Sequence, residues 1–574
     1  MHPQLLFLLG GGLAVIIGAA VLSRRTGVAA PLLLLALGVS AAYMPTVPDI
    51  PEVLVDPDLI LAGVLPPLLY AASVRIPIVD VRRNIALIAW LSVGLVIVSA
   101  VLLGLVVHAL FPQIPLALCI ALGAVVSPPD SVAATAVGRR LGLPPRVMTV
   151  LEAESMVNDA TALVLLRASL VAASVGSFSL GQATLALLWA VVGAVAVGLA
   201  VGFLTVLLRA RLGDPVLNTT ISFAVPFLAF FPAEEMGTSG VLAVVVAGLV
   251  TGHMAPRHFT AHDRQTESTN WATVNFVLES GVFVLMGLEL PRLIDDAGGE
   301  LPAADVWLLV AVVVAMLVAL RFLGVGVPLL IERGIRRRRF KRAQAWAVEV
   351  EERLEALYPK RWPRRMREER LRRRMARSIA DAQFRQREPI TNGDGLVLAW
   401  AGMRGVVTLA AAQSIPTDTE YRALLVLVAL MVSVATLVGL GGTLSALIRR
   451  VDVTVLPTTS RNAEFAQLMT QLAQRTVEVL GPLKEATVDG EPLDPEMRQW
   501  LARRFVPVLR GVPADLRKRK PDSWERAEIV QRRYLNAMQQ ALWEERSIGA
   551  YSSGTYAAAQ ALLDREERRL NPLD

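Results

Sequence analysis

The 574-residue chain holds a single cysteine, Cys119, so neither an intrachain disulfide framework nor a multi-cysteine metal site can form. Cys119 lies in an apolar run and reads as a small lipid-buried or core residue. Aromatic residues make up only 6% and charged residues 19%. Against that stand 54% hydrophobic residues and a mean hydropathy of +0.51, which are hard to reconcile with a soluble globular protein. Histidines number five, and His253, His258 and His262 share one loop without metal-like context. A pH-sensing role is their alternative reading. No cofactor is expected.

What the chain has is a series of apolar runs of about 17 to 25 residues, long enough to cross about 30 Å of hydrocarbon. They recur from the N-terminus to about Arg450, and thirteen can be counted, the two between Thr220 and Met254 being short. The run Leu5 to Leu22 is followed, not preceded, by its basic pair Arg24-Arg25, which marks a first span and not a cleaved signal. The expected fold is an all-α polytopic membrane protein of about thirteen spans. Residues 1–331 hold spans 1–11 and 389–450 hold spans 12 and 13.

Alternate loops carry Arg24-Arg25, Arg75/Arg82/Arg83, Arg139-Arg140/Arg146, Arg209/Arg211, Arg257/Arg264 and the run from Arg333. By the positive-inside rule these face the cytoplasm of a cell whose plasma (inner) membrane the chain spans, with the N-terminus outside and the C-terminus inside. Residues 332–388 form a basic cytoplasmic insert with twenty Lys/Arg against nine Asp/Glu. It reads as a solvated helical arm that touches anionic lipid at about 1 kcal/mol per basic residue; contact with the acidic part of the C-terminal section is the alternative. Nucleic acid is not an expected partner, because no aromatic interleaving accompanies the arginines. Residues 451–574 carry helical periodicity (Phe465, Leu468, Leu472; Tyr534, Met538, Leu542) and breakers at Gly481-Pro482, Gly511 and Pro513. They read as a cytoplasmic helical domain that either regulates or does not.

The informative exception to apolarity is Glu154-Ser-Met-Val-Asn158-Asp159, set within the span of roughly 147–173. A charge at bilayer depth costs about 2.5 to 3.5 kcal/mol or more, which points to an ion or proton that must meet it. At 3.6 residues per turn, Glu154, Asn158, Ser155 and Asp159 fall within an arc of about 140° and make one polar face. The preceding span is interrupted by Ser127-Pro128-Pro129-Asp130-Ser131, and two successive prolines force local unwinding. Broken helices at bilayer depth are tolerated where freed carbonyls line a cavity or hold an ion. Asp130 and the carbonyls around Pro129 are therefore candidates to complete a site with Asp159; Asp130 as a plain helix cap, and Asn158 as a plain interhelical hydrogen bond, remain open. Arg404, in Trp400-Ala-Gly-Met-Arg404-Gly405, must be paired, and Glu154 is the expected partner. Glu234-Glu235 form either a solvated loop or a cation funnel, and structural pairing is expected for Arg167, Glu279 and Arg321.

Five motifs in order resemble the electroneutral sodium/proton exchangers of the cation:proton antiporter family, bacterial type: Leu65-Pro-Pro-Leu-Leu-Tyr70, Ser127-Pro-Pro-Asp130, Glu152-Ala-Glu-Ser-Met-Val-Asn-Asp159, the segment Gly240 to Gly248, and Ala401-Gly-Met-Arg-Gly-Val-Val407. The resemblance covers about Leu5 to Arg450. It implies inverted repeats, crossed broken helices, a homodimer, a cation- or proton-carrying Asp159 supported by Asn158 and Ser155, and a buried Glu154–Arg404 pair. It links the neutral Asn158 to one-for-one exchange. Many members carry a glutamate where this chain has Ala71, and the basic insert is longer than the resemblance leads one to expect.

The expected activity is therefore secondary antiport, not enzyme catalysis: a monovalent cation, Na+ first with Li+ or K+ as alternatives, and H+ compete at Asp159 with alternating access. K+/H+ antiport, a passive cation channel, and a transporter-like sensor acting through its basic arm and C-terminal domain are the competing readings. A channel would call for rings of carbonyls or charges around a pore, whereas the sequence offers one compact site.

Overall fold

The computed structural model describes residues 3–26, 30–44, 59–130, 132–175, 180–298, 300–357, 377, 381, 390–451, 453, 458–482, 485–488, 491–492, 494–495 and 521–570. The chain is almost entirely helical. In order it forms α1 (Pro3–Thr26), α2 (Ala30–Ala42), α3 (Ile60–Val74), α4 (Ile78–Leu110), α5 (Leu116–Val126), α6 (Val132–Leu141), α7 (Pro145–Val175), α8 (Leu180–Arg209), α9 (Pro215–Glu235) and α10 (Gly240–His258). There follow α11 (Ala261–Ala297), α12 (Ala303–Leu357), α13 (Asn392–Trp400), α14 (Val406–Gln413), α15 (Arg422–Arg450), α16 (Thr458–Leu480), α17 (Pro521–Ile548) and α18 (Ser553–Leu570). Among the described residues, eight helices are long and apolar enough to cross a membrane, and α2, α3 and α5 are shorter apolar helices. The protein is a multi-pass membrane protein.

The helix boundaries follow the punctuation of the sequence. Asp214 accepts from the N–H groups of Val216 and Leu217 and caps α9, with proline in the first turn. Thr391 and Asp394 form a reciprocal capping box that starts α13. α5 ends at Ser127, directly before the Pro128-Pro129 pair that cannot continue it. α4 contains a π-helical turn at Trp90–Gly94 whose Ser92 hydroxyl donates to the Glu154 carbonyl at 3.1 Å; such turns widen a helix where a partner must approach.

The contacts divide the chain into two compact units. The first comprises residues 1–254, 266–331 and 390–454. Its two apolar clusters are built from Leu, Val, Ile and Ala of most of the spans, one of them joining α4, α6, α7, α12, α13 and α15. Gly198 on α8 lies so near α10 that a Cβ there would meet the Ala243 carbonyl at 2.4 Å, so this small residue serves packing within one chain.

The second unit comprises residues 255–265, 332–389 and 455–574. α16, α17 and α18 close around Leu468, Leu472, Met538, Leu542 and Leu563, with Phe465 packed on that cluster and Tyr534 buried. Between α16 and α17 a small antiparallel hairpin pairs Thr487–Val488 with Glu491–Pro492, a strand pair absent from the helical expectation. Residues 332–357, the first part of the basic stretch, are helical. Gly511 and Pro513 lie outside the described residues.

Candidate functional site

Two interrupted helices meet in the first unit. The break between α5 and α6 crosses the break between α13 and α14, and the Asp130 N–H donates to the Met403 carbonyl at 2.6 Å. Each break leaves half-helix ends with unsatisfied backbone groups, and each strand supplies a charge to the end left by the other. Arg404 donates through Nε to Val126 O at 2.7 Å and through Nη2 to Ser127 O at 3.2 Å, meeting the electronegative C-terminus of α5, and through Nη1 to Gly402 O. Asp130 lies over Gly405, the N-cap of α14, so its carboxylate faces the positive end of that helix. A Cβ at residue 405 would fall 1.8 Å from Asp130 Oδ2; only glycine leaves room for the carboxylate.

α7 passes this crossing with its polar face inward. Asn158 and Asp159 are 0% and 5% exposed, and Ser155 is half-buried. Asn158 Nδ2 donates to Pro129 O at 3.3 Å, which ties α7 to the α5–α6 break and orients the amide. Its other terminal atom, Oδ1, is buried and has no hydrogen-bond partner among the described residues. Asp159 and Asp130 are close enough for their carboxylates to repel each other. The crossing thus brings together five of the predicted residues, Pro129, Asp130, Ser155, Asn158 and Asp159, although Asp130 also fulfils the capping role that the sequence left open.

One expectation needs correction. Glu154, 1% exposed, is held not by Arg404 but by Arg321 of α12, whose Nη2 donates to Oε2 at 2.8 Å and whose Nη1 donates to Oε1. Arg321 Nη2 also donates to Leu398 O at 3.1 Å. Arg404 reaches carbonyls instead, because the end of α5 already supplies partial negative charge where its guanidinium lies. Glu234 and Glu235 lie at the end of α9: Glu234 binds Arg167 at 2.6 Å through Oε2 and the Gly240 N–H at 2.8 Å through Oε1, while Glu235 is exposed. The structural pairings expected for Arg167 and Arg321 are thereby present.

Glu279, also expected in a structural pair, accepts a hydrogen bond from Asn275 at 3.4 Å and lies close enough to Asp130 for repulsion. It adds a third carboxylate to the neighbourhood, and no sequence spacing links it to the other two. Arg83, Arg146 and Arg209, loop charges by their place in the sequence, are 4%, 4% and 1% exposed. Arg209 is paired with Glu267 at 2.7 Å and Asn218 at 2.6 Å. Ala71 is buried at 3% exposure. No cluster of three or more His, Cys, Asp or Glu suited to a metal occurs among the described residues.

The arrangement matches known proteins. A family model described as sodium/hydrogen exchanger, transmembrane, matches residues 12–450. An uncharacterized Na(+)/H(+) exchanger of Mycobacterium tuberculosis is 29% identical over 98% of this chain and 95% of its own length. A sodium, potassium, lithium and rubidium/H(+) antiporter of Bacillus subtilis is 31% identical over 51% of this chain and 45% of its own. The solved sodium proton antiporter MjNhaP1 of Methanocaldococcus jannaschii at pH 8 shares the fold at a TM-score of 0.56 and 17% identity, over 78% of this chain and 99% of that one. The five ordered motifs, the crossed broken helices and the family match together place this chain in the sodium/hydrogen exchanger family of cation:proton antiporters.

Proposed function

We propose that the protein exchanges a monovalent alkali cation, Na+ foremost, for H+, one for one, by competition of the two ions at the Asp159 carboxylate. The observation that carries this reading is the pinned amide of Asn158. Its Nδ2 is engaged by Pro129 O, and its Oδ1 is a buried, neutral oxygen without a donor among the described residues, next in sequence to an acidic side chain. A hard monovalent cation seeks oxygen ligands of this kind, and the Ser155 hydroxyl and the carbonyl of Pro129 extend the set. Asp130 sits at the α14 N-terminus and contributes charge close by without being the exchanging group.

A single exchanging carboxylate that carries either a proton or a cation, never both, couples the two fluxes one to one. Because Asn158 is neutral, the loaded site bears the same charge in both transport directions. The Bacillus subtilis relative is a sodium, potassium, lithium and rubidium/H(+) antiporter, which favours K+ as a second substrate to test. By the positive-inside reading, the N-terminus lies outside and the C-terminus in the cytoplasm, and the family resemblance adds a homodimer.

Competition has a kinetic signature. In proteoliposomes, the apparent KM for Na+ should rise in proportion to proton concentration at acid pH while the maximal rate at saturating Na+ stays constant. A KM independent of pH, with only the maximal rate changing, would contradict a shared carboxylate.

A further inference from the structure

Beside the crossing lies a small cavity bordered by α4, α12 and the two breaks, with room for one water-sized or monatomic occupant. Leu95 of α4 and Leu317 of α12 give it apolar walls. Its polar side chains are Ser99, Ser127, Arg321 and Arg404, all between 2% and 6% exposed. Among the described residues no carboxylate lines it, and neither Asn158 nor Asp159 does.

The groups around the cavity are rich in donors. Arg404 directs three N–H groups at the carbonyls of Val126, Ser127 and Gly402. A guanidinium carries five donors, so two are left over. Arg321 commits Nη1 and Nη2 to Glu154 and to Leu398 O, whereas its Nε is buried and has no hydrogen-bond partner among the described residues. The Ser99 hydroxyl adds a further donor. Buried donors without acceptors are costly, so the cavity calls for an acceptor.

Charge narrows the choice. Glu154 neutralises Arg321, but Arg404 meets only carbonyl oxygens. Asp130, the acidic group of the same crossing, lies over Gly405 at the start of α14 and takes no part in the lining. The cavity is therefore bordered by one guanidinium charge more than its carboxylates balance. Water would satisfy the N–H groups and leave that charge as it is, whereas a charge within a span calls for an opposite one. Carboxylate and phosphate ligands exceed the space; a halide does not. We propose that the cavity is a binding site for a monatomic monovalent anion, chloride in the cell, which bridges Arg321 and Arg404 and fastens α12 to the crossing of the broken helices. The anion is a fixed ligand of the fold and not cargo, because the exchanging residues lie outside the cavity.

The full chain in detergent tests this at constant Na+ and constant ionic strength, with gluconate, too large for the cavity, replaced stepwise by chloride or bromide. The melting midpoint should rise with either halide and then level off, as mass action requires of one saturable site. Ser99→Ala, which removes one neutral donor, should raise the half-saturating chloride concentration by about tenfold. Ser99→Leu, which fills the cavity, and the paired change Glu154→Gln/Arg321→Met, which removes the Nε donor, should abolish the rise. Radiochloride should be retained by the wild type and not by Ser99→Leu, which reads the site without unfolding. Where Ser99→Leu fails to assemble, the paired variant carries both comparisons. A midpoint that is the same in gluconate and chloride, that climbs without levelling off, or that climbs equally in the filled variant overturns the site. So does a wild type that retains no radiochloride, which would assign the cavity to water. Each readout is of binding alone, so a failure of the exchange reading would leave the anion site standing.

Discussion

Arg321 on α12 holds both carboxylate oxygens of Glu154 on α7, and the two side chains are 4% and 1% exposed. The pair fastens the helix that carries Asp159 to a helix 167 residues further along the chain. Removing one partner leaves a buried charge uncompensated, which costs about 3 to 5 kcal/mol, whereas replacing both with neutral groups of similar volume is close to neutral. Glu154→Gln and Arg321→Met should each lower the detergent-solubilised melting midpoint and the folded yield, and the double variant should recover most of both. If Glu154 and Arg404 behaved as the coupled pair in such a cycle, the pairing described above would be wrong.

Gly405 and Asp130 make a second, steric test. Gly405→Ala places a methyl group where Asp130 Oδ2 now lies, so the carboxylate must leave the start of α14. Displacements of about 1 Å at a working site cost up to about 100-fold in rate. Proton flux should fall by about tenfold or more while the protein still elutes as one species. In an Asp130→Ala background the same glycine change should add little further loss, since the colliding group is gone.

Asn158 separates cation binding from coupling. Asn158→Ala removes Oδ1, which has no partner among the described residues, and the tie to Pro129, and should raise the apparent KM for Na+ by about tenfold, equivalent to the roughly 1.4 kcal/mol of one modest polar contact. Asn158→Asp instead adds a carboxylate to the moving site. If that charge travels with it, the flux acquires a voltage dependence of about 2.3 kcal/mol per 100 mV per charge. Flux that stays insensitive to imposed voltage would show that residue 158 does not travel with the cargo.

The elements of the site that sequence made legible are those whose geometry is local. Helical spacing placed Asn158 and Asp159 on one face, and the Pro128-Pro129 pair marked where α5 must stop. Their meeting, through Asn158 Nδ2 and Pro129 O, follows from two such local facts. Arg321 was not legible as the partner of Glu154, because nothing in spacing ranks one intramembrane arginine above another. Arg404 looked equally in need of a carboxylate, and only the fold reveals that the end of α5 supplies its acceptors. Arg83, Arg146 and Arg209 illustrate a related limit: charges counted as loop markers are buried and hydrogen-bonded, with Arg146 donating to Asn84 at 2.8 Å and Arg83 paired with Asp80 at 3.2 Å. The small hairpin between α16 and α17 is two residues per strand, below the length at which alternation is visible.

The most direct test of the account is the pH change inside dye-loaded proteoliposomes after Na+, Li+ or K+ is added outside, at several clamped voltages, for the wild type and Asp159→Asn. The account predicts a cation-dependent, voltage-insensitive internal alkalinisation as the cation enters and protons leave, lost in Asp159→Asn with the protein still assembled. Wild-type exchange by Asp159→Asn, or cation flux without linked proton movement, would contradict it.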